Sequence, residues 1–261
     1  MIERKSSREI AKQTQAGGIV AETLQLLAEA AQPGVTTGEL DKIAERHIRR
    51  RGGVATFKGY RGFPGSICAS PNAMIVHGIP GAYELRDGDI LSLDVGVTYR
   101  GFVGDSAVTV AVGDVSDETR RLLAACQEGL HRMIAQCHVG NRLHDLGAAC
   151  QAYVEGEAGF GVVRQLVGHG VGRRMHEDPQ IPNYGQPGTG PELREGMVFA
   201  IEPMITAGSH DIFLDSDDGW SIYTVDGSMA AHFEHTVAIT ADGPLVLTLG
   251  PDGTSVVDRP V

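Results

Sequence analysis

Four acids in this chain stand where acids are costly. Asp94 and Glu202 close two β-prone runs that read almost alike, RDGDILSLD (86–94) and REGMVFAIE (194–202). Asp105 follows in DVGVTYRGFVGD, and Glu234 sits in AAHFEHTVAI. Strand alternation puts Ser92 on the face of Asp94, Ala200 on that of Glu202, and Thr236 and Ala238 on that of Glu234. Small neighbours therefore leave space before the carboxylates. A hairpin centred on Tyr99-Arg100 would set Asp94 opposite Asp105, with Cβ atoms ~5 Å apart. Like charges that close are unfavourable without a cation between them, and burying several carboxylates together is expensive unless they are compensated.

Imidazoles are the next donors to consider. GHGVGRRMHEDPQIPNYG (168–185) carries His169 and His176 among glycines, so this is an irregular loop or strand pair and not a helical metal-binding face. His77 follows a β-prone run in MIVHGIP (74–80). The other histidines, His232 and His235 among them, read as structural. Four carboxylates and one imidazole form an oxygen-rich set without thiolate. That disfavours a closed structural zinc site and suits two adjacent ions of the Mn, Fe or Co kind. Bridging carboxylates would hold such ions ~3.5–4 Å apart around an activated water, which is hydrolytic chemistry.

Positioning these groups needs strands backed by helices. Ser6 and Ser7 can cap a helix running to about residue 31, before Pro33-Gly34, and Thr36 with Glu39 forms a capping-box pattern for a second helix ending near Gly52-Gly53. A Gly/Pro/Ser-broken stretch, 59–88, precedes strands at about 89–97 and 102–111. Ser116 opens a third helix to about Cys137, and a fourth covers roughly 142–156. Strands follow near 197–204, 221–225 and 231–240. Each half reads helix, helix, strands, with the echoed runs at matching places. The expectation is an α/β (α+β) single domain, 1–261, with pseudo-two-fold halves of about 1–112 and 113–261. Helices would cover one face of a curved, mainly antiparallel sheet.

Bulk properties narrow the function classes. The 261 residues carry a formal charge of −11, which argues against phosphate-backbone or acidic-lipid binding. The run Arg49-Arg50-Arg51 reads as a solvated helix end. The polar start lacks a secretory h-region, and no apolar run is long enough to span a membrane. Cys68, Cys126, Cys137 and Cys150 show no CxxC spacing, so reduced thiols in a cytoplasmic protein are expected.

At these residues the chain resembles the type I methionine aminopeptidases. The matching pieces run in order over nearly the whole length: HGIP (77–80), SLDVGV (92–97), GDSA (104–107), GHGVGRRMHEDP (168–179), AIEPM (200–204) and FEHT (233–236). The resemblance implies the pita-bread fold and a metallo-exopeptidase that removes N-terminal methionine before a small second residue. It implies that Asp94 chelates one ion, that His169 and Glu202 hold the other, and that Asp105 and Glu234 bridge both. The ions would be Co, Mn, Fe or Zn. Glu202 becomes the proton shuttle, His176 the partner of the substrate carbonyl and oxyanion, and His77 the contact to the scissile amide. The methionine pocket maps onto Tyr60, Phe63, Cys68, Met175 and Trp220, a lining of aromatics and sulfur that suits a thioether. The implied partner is a peptide or nascent-chain N-terminus, with transient ribosome contact as a further expectation and a monomer as the family's usual state. Three positions depart from the family's habit: Met175 stands for an aromatic, Phe57 for a smaller residue, and His232 for a residue that is often Gln. Without a zinc-finger extension the chain looks like the short catalytic form. The weighed alternatives share the fold. Proline-specific aminopeptidases and prolidases usually carry a large N-terminal domain. Non-enzymatic or creatine-hydrolysing relatives would be expected to lack ligands that are present here.

Overall fold

The computed structural model describes residues 2–260. In the first half, α1 (Ser7–Ala30) and α2 (Thr37–Arg50) precede β1 (Val54–Ala55), β2 (Cys68–Pro71), β3 (Met74–Val76), β4 (Ile90–Tyr99) and β5 (Phe102–Ala111). Both helices start on a complete capping box, Ser6 with Glu9 and Thr36 with Glu39. The buried stripe of α1 includes Ala16, Val20, Leu24 and Leu27, the three-to-four spacing that lays one face on a sheet. That face packs on β4 and β5. The approach is close: a Cβ on Gly104 of β5 would meet the Gly17 backbone nitrogen at 2.6 Å. Only two residues without side chains allow it.

The second half repeats the order. After α3 (Asp117–Ile134) and α4 (Leu143–Tyr153) come β6 (Gly161–Val162), β7 (Gly168–Gly170), β8 (Glu177–Ile181), β9 (Val198–Ile201) and β10 (Met204–Thr206). The chain ends with β11 (Ile212–Leu214), β12 (Ile222–Thr224), β13 (Ala230–His232), β14 (His235–Thr240) and β15 (Gly243–Val246). The fourth helix passes into a short π-helical turn over Val154–Ala158, which stops at Gly159 with φ 77°.

Every registered strand pair is antiparallel, as expected, but the expected curved sheet is divided into four. The strands expected near 197–204 and 231–240 are each broken in two. β9 and β14 pair within a five-stranded sheet, whereas their continuations β10 and β13 pair within a three-stranded one. Both breaks fall at an acid of interest, Glu202-Pro203 and Phe233-Glu234. Proline has no N–H to continue a ladder, which ends β9 there. The Cys126 thiol of α3 backs the joint, facing the carbonyls of Pro203 (3.3 Å) and Ala231 (3.4 Å).

A second difference concerns the β4–β5 hairpin. Tyr99 pairs with Phe102, so the turn is Arg100-Gly101 and not Tyr99-Arg100. Both turn residues have positive φ, 51° and 80°, the backbone of a two-residue hairpin with glycine second. Asp94 therefore faces Ala107, and Asp105 faces Gly96. The slip is two residues, so both acids stay on one face and meet diagonally. Asp94 also lies mid-strand, whereas Glu202 stands just beyond β9.

The main apolar core lies between the helices and the sheets. It takes Leu91, Leu93 and Val95 from β4 and Phe199 and Ile201 from β9. Val198 and Ala200 point the other way, into a second cluster with Phe57, Phe63, Cys68 and Met175. That second cluster walls the site.

Candidate metal centre

One cavity of about 290 Å³ is lined by all twelve residues singled out from the sequence: Tyr60, Phe63, Cys68, His77, Asp94, Asp105, His169, Met175, His176, Glu202, Trp220 and Glu234. Its floor is polar and its outer wall is aromatic. The polar floor comes from both halves of the chain. Asp94 and Asp105 project from β4 and β5, His169 from β7, and Glu202 and Glu234 from the two strand breaks.

Backbone contacts fix these donors. The Asp105 N–H donates to Thr236 Oγ1 (3.0 Å), whose hydroxyl donates back to the Asp105 carbonyl (2.7 Å). The Glu234 N–H donates to the Ala107 carbonyl at 2.9 Å, and Ser106 Oγ donates to the Glu234 carbonyl. On β7, His169 pairs with Ala200, whose small side chain leaves room for the ring beside Glu202.

Electrostatics sets the chemistry. Burial pushes the Asp94 carboxyl up to about 7. Burial, and then the neighbouring carboxylates, push Asp105, Glu202 and Glu234 well above the ordinary range. Asp94 Oδ1, Asp105 Oδ1 and Glu234 Oε1 are buried with no hydrogen-bond partner. Unpartnered buried carboxylate oxygens are costly. A donor atom from each of Asp105, His169 and Glu234 lies within 4.8 Å of the others. His169 Nδ1 lies 2.9 Å from the Gly170 carbonyl, which requires the proton on Nδ1. That leaves the Nε2 lone pair facing Glu202 Oε1 (3.4 Å) and Asp105 Oδ2 (3.7 Å). Burial, with His176 second, lowers His169 to about 4, so the ring is neutral at pH 7. A backbone-anchored neutral imidazole among orphaned carboxylate oxygens fits divalent cations.

The wall is equally defined. Phe63 and Trp220 meet edge to face at 5.1 Å, and His77 lies 6.4 Å from Trp220. Cys68 pairs directly with Asp94 across β2 and β4, placing its sulfur where floor meets wall. The Tyr60 hydroxyl is 2.9 Å from His176 Nδ1, and the His176 ring lies 4.2 Å from that of His169. His77 has φ 62°, a left-handed backbone rare for a residue with a side chain. Burial, and then His176, lower it to about 4. Phe57, noted above for its bulk, covers Gly96: a Cβ there would meet the ring at 2.6 Å.

One lining residue does not look like the structural histidine expected from the sequence. His232 lies in the cavity wall, buried, with neither ring nitrogen partnered. Its Nε2 is 3.7 Å from Glu202 Oε2 and 3.9 Å from Glu234 Oε2. Its place two residues before Glu234, on the same side of the strand, was the available signal. The structural reading does hold for His235, whose nitrogens reach Thr248 Oγ1 (2.7 Å) and the Asp258 carboxylate (3.3 Å).

Comparison with known proteins agrees with this geometry. The profile of metallopeptidase family M24 matches residues 11–241. A methionine aminopeptidase of Clostridium perfringens is 50% identical over 249 residues, covering 95% of this chain and 99% of that protein. Methionine aminopeptidase 1 of Bacillus subtilis is 50% identical over 248 residues, with 95% and 99% covered. The crystal structure of a methionine aminopeptidase from Thermotoga maritima superposes with TM-score 0.93 at 43% identity, covering 95% of this chain and 99% of that one. By sequence, fold and donor set together, this chain is a member of metallopeptidase family M24 with the pita-bread fold.

Proposed function

We propose that the chain is a methionyl aminopeptidase, releasing the N-terminal methionine of peptides and nascent chains with a small second residue. The observation that carries this reading is the orphaned carboxylate cluster at the closed end of a cavity walled by Phe63, Trp220, Cys68 and Met175. That wall offers aromatic faces and sulfur to a thioether.

Asp94, Asp105, His169, Glu202 and Glu234 are the residues that would hold two divalent ions. When bound, the ions supply Lewis-acid polarisation and a water acidified toward neutral pH. The protein's own groups do the rest. The substrate's free α-amine would bind at the metal centre, which restricts cleavage to the first peptide bond. Glu202 accepts the proton of the attacking water and returns it to the leaving amine. In the tautomer that carries its proton on Nε2, His176 accepts from the Tyr60 hydroxyl at Nδ1 and donates from Nε2 to the substrate carbonyl as negative charge develops. One such donor is typically worth about 3 kcal/mol in the transition state. His77 contacts the scissile amide from the Trp220 side. Action on nascent chains places the work in the cytoplasm, with at most transient ribosome contact.

The test is release of methionine from Met-Ala-Ser by protein supplied with Mn, Co or Fe(II). Cleavage should stop on chelation and should fail with Met-Phe-Ser. Loaded protein that cleaves Ala-Pro but leaves Met-Ala-Ser intact would overturn the reading.

A further inference from the structure

We propose that His232 supplies a second imidazole donor to the metal centre, through Nε2, beside Glu202 and Glu234. The proposal rests on the metal-centre reading above. It extends the donor set to four carboxylates and two imidazoles.

The argument begins with hydrogen bonding. A buried imidazole left without partners loses the solvation of both nitrogens, a cost proteins avoid. His235, three residues away, shows how this chain satisfies a core histidine: both of its nitrogens are partnered. His232 is 1% exposed and has no partner on either nitrogen, yet it faces the cavity. At 3.7 and 3.9 Å its Nε2 is beyond hydrogen-bond reach of Glu202 and Glu234. Those separations suit donors sharing an ion, because bonds of ~2.1 Å put adjacent ligand atoms roughly 3–4 Å apart. His169 stands in the same relation, 3.4 and 3.7 Å from Glu202 and Asp105. The imidazoles flank one carboxylate, His169 at Oε1 and His232 at Oε2.

The backbone is held for the purpose. The His232 N–H donates to Thr109 Oγ1 (2.8 Å), and the same hydroxyl donates to the His232 carbonyl (2.9 Å). Ser92 Oγ lies 2.8 Å from that hydroxyl and completes its coordination. Both Ser92 and Thr109 belong to the strands that carry Asp94 and Asp105. Adding nitrogen to an oxygen-rich site shifts preference along the divalent series toward Co and Zn and away from Mn.

The experiment is Co(II) titration of metal-free protein by calorimetry and visible absorption, with Mn(II) competition, for wild type, His232→Gln and His232→Asn. The proposal expects one of two Co(II) sites to weaken by roughly tenfold or more, the d–d spectrum to change, and the Co-over-Mn preference to narrow. Proton NMR of Co(II)-loaded wild type gives a readout independent of any variant's folding. Two strongly shifted, solvent-exchangeable imidazole N–H signals support the proposal, and a single one overturns it. Variants with the wild-type isotherm, spectrum and preference overturn it as well. His169→Ala separates the two readings. If it loses Co(II) while His232→Gln does not, only the role of His232 falls. Wild-type protein that binds no Co(II) removes both.

Discussion

Two acids that fail to sit opposite each other show how much a single turn residue controls. Arg100-Gly101, not Tyr99-Arg100, closes the β4–β5 hairpin, because a two-residue turn needs positive φ at both positions and glycine serves best at the second. Asp105 then faces Gly96, under Phe57, and Asp94 faces Ala107. The acids still share a face, so the centre survives the slip. At this scale the proposed roles separate by assay. Asp105→Asn should lower kcat/KM by at least about 100-fold, roughly 2.7 kcal/mol in the transition state, and should reduce bound metal measured by elemental analysis. Unchanged turnover would remove Asp105 from the site. Trp220→Ala should instead raise KM for Met-Ala-Ser roughly 5- to 150-fold, through ~1–3 kcal/mol of lost pocket contact, with metal content unchanged.

Among the elements, the loop between β7 and β8 depends on the chain's first residues. Lys5 Nζ donates to Glu177 Oε2 at 2.6 Å, and both side chains are buried. Glu177 Oε1 accepts from the Arg173 (2.9 Å) and Arg174 (3.1 Å) N–H groups, which shapes the turn presenting Met175 and His176. Burial pushes the Glu177 carboxyl up, but Lys5 and these N–H groups outweigh it and hold the carboxyl below its usual range. Removing one partner strands a buried charge. Lys5→Met should therefore cost about 3 kcal/mol in urea denaturation and lower kcat, since His176 loses its seat.

A second tie joins α3 to the C-terminal segment. His131 Nε2 is 2.9 Å from Asp258 Oδ1, and His235 reaches the same carboxylate. The hydrogen bond to Asp258 raises His131 above 6.5. Burial pushes Asp258 up, but hydrogen bonds from His131 and His235 dominate and hold it far below 3.8. The sign follows from linkage. The His131 contribution is complete below pH 6.5 and fades as pH rises through its raised pKa. The Asp258 contribution is complete above pH 3.8 and fades as pH falls through its lowered one. Asp258→Asn should cost about 0.5–1 kcal/mol for this half-exposed pair near pH 5–6, and less at pH 8 or pH 2. A pH-independent loss would show that the tie is not ionic.

For the molecule as a whole, the two halves meet at the carboxylate cluster. Four carboxyls with raised pKa values are crowded there, and ions that bind the folded centre must stabilise the fold. At a hundredfold Kd of Mn(II) or Co(II), unfolding should become harder by about 2.7 kcal/mol. Chelator should reverse the gain in a thermal melt. A melting temperature indifferent to metal would count against the centre. The chain's formal charge of −11 adds long-range attraction for cations, so the effect should weaken with salt.

What the sequence determined by itself is what rides on local rules. N-cap residues set both N-terminal helices, alternation assigned Asp94 and Glu202 to faces opposite the core, and the motifs that carry the family resemblance marked the cavity's residues. What only the tertiary structure decided depends on residues distant in the chain. The strand breaks at Glu202-Pro203 and Phe233-Glu234 arise because β9 with β14 and β10 with β13 join different sheets, and no local propensity encodes a partner. His232 looked like any buried histidine in AAHFEHT. Its unpartnered nitrogens appear only when Glu202 is brought from thirty positions upstream and Thr109 from the other half to hold its backbone. A residue's burial can be read from its neighbours in sequence, but whether its polar atoms are satisfied depends on the neighbours that folding supplies.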